Sequence, residues 1–290
     1  MIIYSIKDIE EITGIKAHTL RIWEKRYKII TPHRTDTNIR FYSEDQLKKL
    51  LNISFLNKNG YKISKISGLD DEQVRIIIAK LSNVDNQVDN QLDALTLALV
   101  NLDGTSITLI LDKYIESIGF EKTMDVIINP FLEKLSTLWL TNIVKGVHES
   151  FISEILKQKT FIEINKLPLA DRKAKKVLLY LPEKEKQQLS IVFLIYLLRL
   201  KGIDTLLAGF DLSLKDVLDA YQIYKPDYIY TIINEDSEKQ SFQAYIEYIC
   251  KSIDVSTFLF SGFTVMNIGD SLPCNCKVVN DLDSVLKHIV

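Results

Sequence analysis

The sequence predicts three modules in series: two helical ones, then an α/β module built on a five-stranded parallel sheet. Apolar residues recur at helical spacing as far as about residue 165, with a polar break at 84–90. Beyond Leu167-Pro168 the period changes to short apolar runs alternating with helical ones, and 290 residues exceed what one ordinary core fills. The composition, 47% hydrophobic and 26% charged with ten Gly and six Pro, is that of a globular chain and excludes disordered or collagenous classes. No window approaches the roughly 18 apolar residues of a membrane span, and Met1–Glu11 lacks the apolar core of a signal peptide. A soluble, cytoplasmic protein with no membrane partner is expected. Cys250, Cys274 and Cys276 make neither a disulfide framework nor a four-ligand zinc site, which fits a reducing compartment.

Ser5-Ile6-Lys7-Asp8 reads as a capping box, Ile6, Ile9 and Ile12 give one apolar side, and Gly14 ends the helix. A second helix is predicted from about Lys16 to Tyr27, so the pair joined at Thr13-Gly14-Ile15 forms a helix-turn-helix. Pro32, Thr35, Asp36, Thr37 and Asn38 are turn residues, and Ile39-Arg40-Phe41-Tyr42 is a short strand, as in a two-stranded wing. Ser43 and Gln46 cap a third helix carrying Leu47, Leu50, Leu51 and Ile53 towards Asn59-Gly60, and a further helical turn starts near Ser64. Asp70-Asp71-Glu72-Gln73 opens a helix that closes near Ser82-Asn83.

Val84–Asn90 is the predicted linker. From Gln91 to about Asn165, Leu92, Leu95, Leu99 and Leu102 form one stripe, and Ile107, Ile110, Leu111, Tyr114, Ile115 and Ile118 another. Asn129-Pro130 fits an N-cap followed by proline at the first helical position, which predicts a helix boundary there and a four-helix bundle overall. Strands are then predicted at Val177–Leu181, Thr205–Ala208, Tyr228–Ile233, Thr257–Phe260 and Lys277–Val279. Helices at Gln187–Lys201, Leu214–Tyr224, Asp236–Ser252 and Leu282–Ile289 separate or follow them. That alternation implies a flavodoxin-like (Rossmann-like) doubly wound domain whose ligand edge lies at the carboxyl ends of the strands. The predicted boundaries are 1–83, 84–167 and 168–290.

Charge is uneven. Residues 1–70 hold 13 Lys and Arg against 8 Asp and Glu, whereas the remainder holds 23 against 30. The basic end is the candidate polyanion surface. On the second helix His18, Arg21 and Lys25 lie at i, i+3 and i+7, while Leu20, Trp23 and Tyr27 occupy the next stripe at the same spacing. One face is basic and the other packs, as a recognition helix requires. Lys16 and Thr19 open the same helix. The wing contributes Arg34 and Arg40, with Asn38 and Tyr42 as neutral donors to phosphates. The competing reading is a solvated amphipathic helix with an incidental basic side.

These residues carry a resemblance. Thr19-Leu20-Arg21-Ile22-Trp23-Glu24-Lys25-Arg26-Tyr27, Pro32-His33-Arg34-Thr35, Asn38-Ile39-Arg40-Phe41-Tyr42-Ser43 and Asn59-Gly60-Tyr61-Lys62-Ile63 resemble the winged-helix domain of MerR-family transcriptional regulators. The Leu-Arg-x-Trp-Glu-x-Arg-Tyr form is similar to the cobalamin-dependent, light-responsive CarH/LitR-like branch. The resemblance implies that His18 and Arg21 read DNA, that Arg34, Arg40 and Tyr42 belong to the wing, that Trp23 and Leu20 are core, and that a dimer binds palindromic promoter sites.

The same branch sandwiches a cobalamin between a helical bundle and a flavodoxin-like domain, and its expected cofactor residues are altered here. Where an Asp/Glu-x-His-x-x-Gly loop would ligate cobalt, this chain has Glu185, Gln187 for the histidine and Ser190 for the glycine. An amide oxygen is a poor substitute for imidazole on cobalt. Thr231 falls in the element beside the nucleotide tail, and Ser261-Gly262 stands where the relatives have Gly-Gly. Trp139 is followed at the family spacing by Glu149, but Ser150 replaces the upper histidine and His148 is one position early, turned about 100° around the helix. Trp139 is read as an ordinary core tryptophan. The apolar helix Ile191–Leu200 is expected to be buried on several sides; a subunit interface is one use for it, beside a different ligand or a protein partner, and the sequence does not choose among these. Cys274-x-Cys276 is read as free thiols, His288 as complementing a helix end, and the run Glu235, Asp236, Glu238 as a helix N-terminus.

The sequence thus points to a non-enzymatic, sequence-specific regulator of promoter DNA that acts as a homodimer without cobalamin. Two readings stay beside it: a corrinoid- or small-ligand-responsive, light-sensing repressor with atypical ligation, and a carboxyl module that engages a protein partner such as RNA polymerase.

Overall fold

A computed structural model describes residues 3–35, 37–84, 88–139, 144–234, 239–253, 255–266 and 275–290. The chain divides into two compact units, Met1–Ile155 and Leu156–Val290.

In the first unit, β1 (Ile3–Ser5) leads into α1 (Ile6–Thr13), whose capping box is formed by Ser5 and Asp8. Gly14 ends it in the left-handed conformation, with φ 72°, where a side chain would be strained. The Thr13 hydroxyl turns back to Ile9 O, and the buried Ser54 hydroxyl donates to Thr13 O at 2.6 Å, pinning the helix-turn-helix corner. α2 spans Ala17–Tyr27. β2 (His33–Arg34) and β3 (Arg40–Ser43) form the wing hairpin. β1, which the sequence pattern missed, pairs antiparallel with β3 on its other side, setting the buried Tyr4 opposite Tyr42. α3 (Glu44–Lys58) starts from the Ser43–Gln46 capping box, and α4 (Ile63–Ile66) and α5 (Asp71–Val84) follow.

Of the predicted linker, residues 85–87 lie outside the described residues, and helix resumes at once in α6 (Val88–Val100). α7 (Gly104–Ile118) and α8 (Phe120–Thr123) then run into a π-helical turn, Met124–Ile128, and on into α9 (Asn129–Trp139). The expected N-cap at Asn129 is corrected. Asn129 is itself helical, with φ −61° and ψ −49°, and its N–H reaches Met124 O five residues back. Pro130 lacks an N–H and its ring crowds the preceding turn, so the backbone widens there instead of breaking. α10 (Gly146–Lys166) carries the chain into the second unit.

The second unit is a parallel sheet of β4 (Lys176–Pro182), β5 (Asp204–Leu212), β6 (Tyr228–Ile232), β7 (Thr257–Ser261) and β8 (Cys276–Val278) in the order β5-β4-β6-β7-β8. α11 (Gln188–Leu200), α12 (Leu214–Tyr224), α13 (Lys239–Ser252), the short α14 (Phe263–Met266) and α15 (Leu282–Ile289) complete the alternation. This is the predicted doubly wound α/β arrangement. α11 buries seven residues between Ile191 and Leu198 and packs on β4 and β5. Leu178, Tyr180, Ile229, Phe258 and Phe260 form the centre of the core with Val217, Ile246 and Ile249 of the helices. Cys276 is buried, Cys274 and the run 235–238 lie outside the described residues, and His288 stands in the last turn of α15. Among the described residues no helix is long and apolar enough to cross a membrane.

Candidate nucleic-acid interface

α2 turns Leu20 and Trp23 inward and leaves His18, Arg21, Lys25 and Arg26 exposed, with Thr19 half-buried. Its opening has no side-chain cap of its own. Glu10 of α1 supplies one: the Ala17 N–H and the Lys16 Nζ each donate to its carboxylate at 3.0 Å. Those bonds, the backbone one first, hold the Glu10 carboxyl below the usual range. The His18 ring lies 3.3 Å from the Thr19 hydroxyl.

In the wing, Asn38 takes φ 65°, and its Oδ1 accepts from Arg34 Nη1 at 2.7 Å. The Thr35 hydroxyl accepts from the Ile39 N–H, and His33 stacks on Phe41 at 5.4 Å. Arg34 and Asn38 therefore stand together at an exposed tip.

The joint between helix and wing is a carboxylate. Glu24, its side chain 8% exposed, accepts from Arg40 Nε at 3.0 Å and from the Tyr42 hydroxyl at 2.5 Å. Tyr42 is fully buried. Its expected role as a phosphate donor is corrected, because its single O–H is spent on Glu24 away from solvent; burial first and then Glu24 push its pKa well up. Arg40 keeps a 28% exposed side chain but has its Nε fixed. Glu24 was missed in the sequence. The signal was present as a single acid among Arg21, Lys25 and Arg26.

At the carboxyl ends of the strands, the other expected residues fasten loops. Glu185, buried, accepts from the Asn234 N–H at 2.8 Å, and Asn234 Oδ1 accepts from the Phe263 N–H at 2.7 Å, linking the ends of β4, β6 and β7. A Cβ on Gly262 would lie 2.2 Å from Ile233 O, so only glycine fits this crossing. The Thr231 hydroxyl, fully buried, donates to Tyr180 O at 3.0 Å. Gln187 stands at the N-cap of α11 with its Oε1 accepting from the Lys186 N–H, and Ser190 lies in the first turn. Lys157 Nζ donates to Gln188 Oε1 at 2.6 Å.

Residues 183–190 contain no imidazole, so this loop lacks the nitrogen donor expected of a lower cobalt ligand. In the first unit Glu149 and Ser150 are exposed, while His148 is buried and its Nδ1 accepts from the Lys145 N–H at 2.9 Å. Trp139 is 43% exposed, which corrects its reading as a core residue. The buried stripe of α9 is Phe131, Leu135 and Leu138, and Trp139 falls one residue, about 100°, off it.

A model of the MerR HTH family of regulatory proteins matches residues 4–73. This segment is a MerR helix-turn-helix domain. The MerR domain also aligns, at 30% identity over 69 residues, with the HTH-type transcriptional regulator MlrA of Escherichia coli strain K12, spanning 24% of this chain and 28% of that protein. A longer likeness is to the HTH-type transcriptional repressor CarH of Myxococcus xanthus, 23% identical over 232 residues, 78% of this chain and 77% of the relative. Among solved structures, the monomethylamine corrinoid protein of Methanosarcina barkeri superposes with a TM-score of 0.50 at 10% identity, covering 67% of this chain and 94% of that one. Behind the MerR domain, then, the likeness is one of fold, a helical region followed by a five-stranded parallel sheet with helices.

Proposed function

We propose that the chain is a sequence-specific transcriptional regulator that grips double-stranded promoter DNA as a homodimer, performs no catalysis and works without cobalamin. The observation that carries this reading is the exposed cationic face of α2 clasped to the wing through Glu24. Lys16, His18, Thr19, Arg21, Lys25, Arg34, Asn38 and Arg40 form the DNA-contacting set, and the module boundaries are 1–83, 84–167 and 168–290. The likeness to a repressor supports the regulatory role. The argument for a homodimer is electrostatic: one winged domain neutralises too few phosphates for tight binding at physiological salt, and a two-fold pair doubles them. The bundle and sheet edge are left to an effector, either a small molecule or a protein such as RNA polymerase.

With a bound duplex selected from a random pool, Lys25→Ala should weaken binding and reduce the slope of log K against log salt by about 0.9 for each phosphate that Lys25 neutralises. An unchanged affinity and slope would remove Lys25 from the interface. Cobalamin independence rests on the Gln187 and Ser190 positions. Protein mixed with adenosyl- or methylcobalamin, desalted and scanned in the visible should retain no corrin spectrum; a retained one at about one per chain would establish the ligand-responsive alternative.

A further inference from the structure

In the MerR domain, the large apolar side chains left markedly exposed among the described residues are Ile22, at 52%, and Ile39, at 62%. Isolated surface apolar residues are ordinary. Both of these, however, lie on the two elements that carry the exposed cations: Ile22 on α2 and Ile39 in the wing between Asn38 and Arg40. Ile22 sits about 200° from the fully buried Leu20 and about 100° from Trp23, so it lies off the buried side of the helix. Its neighbours on the helix surface are His18 at i−4, Lys25 at i+3 and Arg26 at i+4, all exposed.

An apolar side chain ringed by polar and charged neighbours gains nothing from water. It gains burial if the surface enters a major groove, where thymine alone carries an apolar group, the C5-methyl, beside the acceptors that cations read. We propose that Ile22 is a specificity-determining residue that packs on a thymine methyl in the major groove, while His18, Arg21 and Lys25 hold the helix in place. This rests on the DNA-binding reading above and adds which chemical group is recognised.

The full-length protein is first used to enrich duplexes from a random pool. Each thymine of the enriched site is then replaced in turn by uracil, which removes only the methyl. At one thymine per half-site, affinity should fall about four-fold, the effect of losing one buried apolar carbon. Ile22→Ala, at an exposed helical position where alanine is well tolerated, should bind more weakly and be indifferent to that replacement, while Ile22→Leu should keep the sensitivity. Wild-type affinity unchanged by uracil at every position, or an Ile22→Ala protein that still distinguishes thymine from uracil as the parent does, would overturn the assignment. Failure of the parent to enrich any sequence would overturn the DNA-binding reading itself.

Discussion

Glu24 shows how one side chain decides what two others can do. Its carboxylate accepts from Arg40 of the wing and from the buried Tyr42 hydroxyl, so the hairpin is held to α2 by a charge almost withdrawn from water. Glu24→Ala leaves the Tyr42 hydroxyl without its acceptor, a loss of about 1–3 kcal/mol. The expected outcome is a lower Tm together with weaker DNA binding, whereas Glu24→Gln, which can still accept from Tyr42, should recover most of the Tm. Gly262→Ala should destabilise the second unit by on the order of 3 kcal/mol, since its φ of 112° and the 2.2 Å approach to Ile233 O both exclude a Cβ; thermal unfolding measures it. The capping residues Ser5, Asp8, Ser43 and Gln46 were legible in the sequence because their partners lie three residues away. Tyr42 and Trp139 were not. Whether a tyrosine hydroxyl meets phosphate or carboxylate depends on a partner 18 residues distant, and the exposure of Trp139 depends on where the stripe of α9 points.

Among elements, α6 is the mediator of the first unit. Asp93 accepts from Lys58 of α3 at 2.8 Å and from Lys134 of α9 at 2.5 Å, tying the MerR domain to the bundle through one carboxylate. Burial alone would raise the Asp93 pKa, but the two ammonium groups outweigh it and hold the carboxyl below its usual 3.8. A lowered folded-state value means that the stabilisation is full above 3.8 and is lost as pH falls through the lowered value. Asp93→Asn should therefore cost about 1 kcal/mol near neutrality, with these half-exposed pairs discounted for solvent, and the gap to the parent should close in acid. Tm measured from pH 7 down to pH 3 tests this; a gap independent of pH would show that the ion pairs contribute nothing. Long periodic helices such as α7 and α12 were legible from their stripes. β1 was not, because three residues carry no period and its pairing with β3 spans 38 positions between Tyr4 and Tyr42. The π-helical turn was hidden because Asn129-Pro130 reads equally as a helix start.

For the whole molecule, the order of modules was legible because the change from helical to strand period is a property of long stretches, and the parallel sheet followed from strands alternating with helices, whereas the strand order depends on pairings between distant segments that no local pattern carries. β5, at the edge of that sheet, is more irregular than its sequence implied. Its pairing with β4 steps from Leu179 opposite Leu207 to Tyr180 opposite Gly209 and then Pro182 opposite Leu212. Gly209 and Asp211 both take positive φ, and the Leu212 side chain fills the space that a Cβ on Gly209 would need. An outermost strand that stayed straight would offer a continuous row of amides and carbonyls to any passing chain. Because β5 bends after Leu207, that row is cut short, which leaves a passing chain little straight edge on which to extend the sheet.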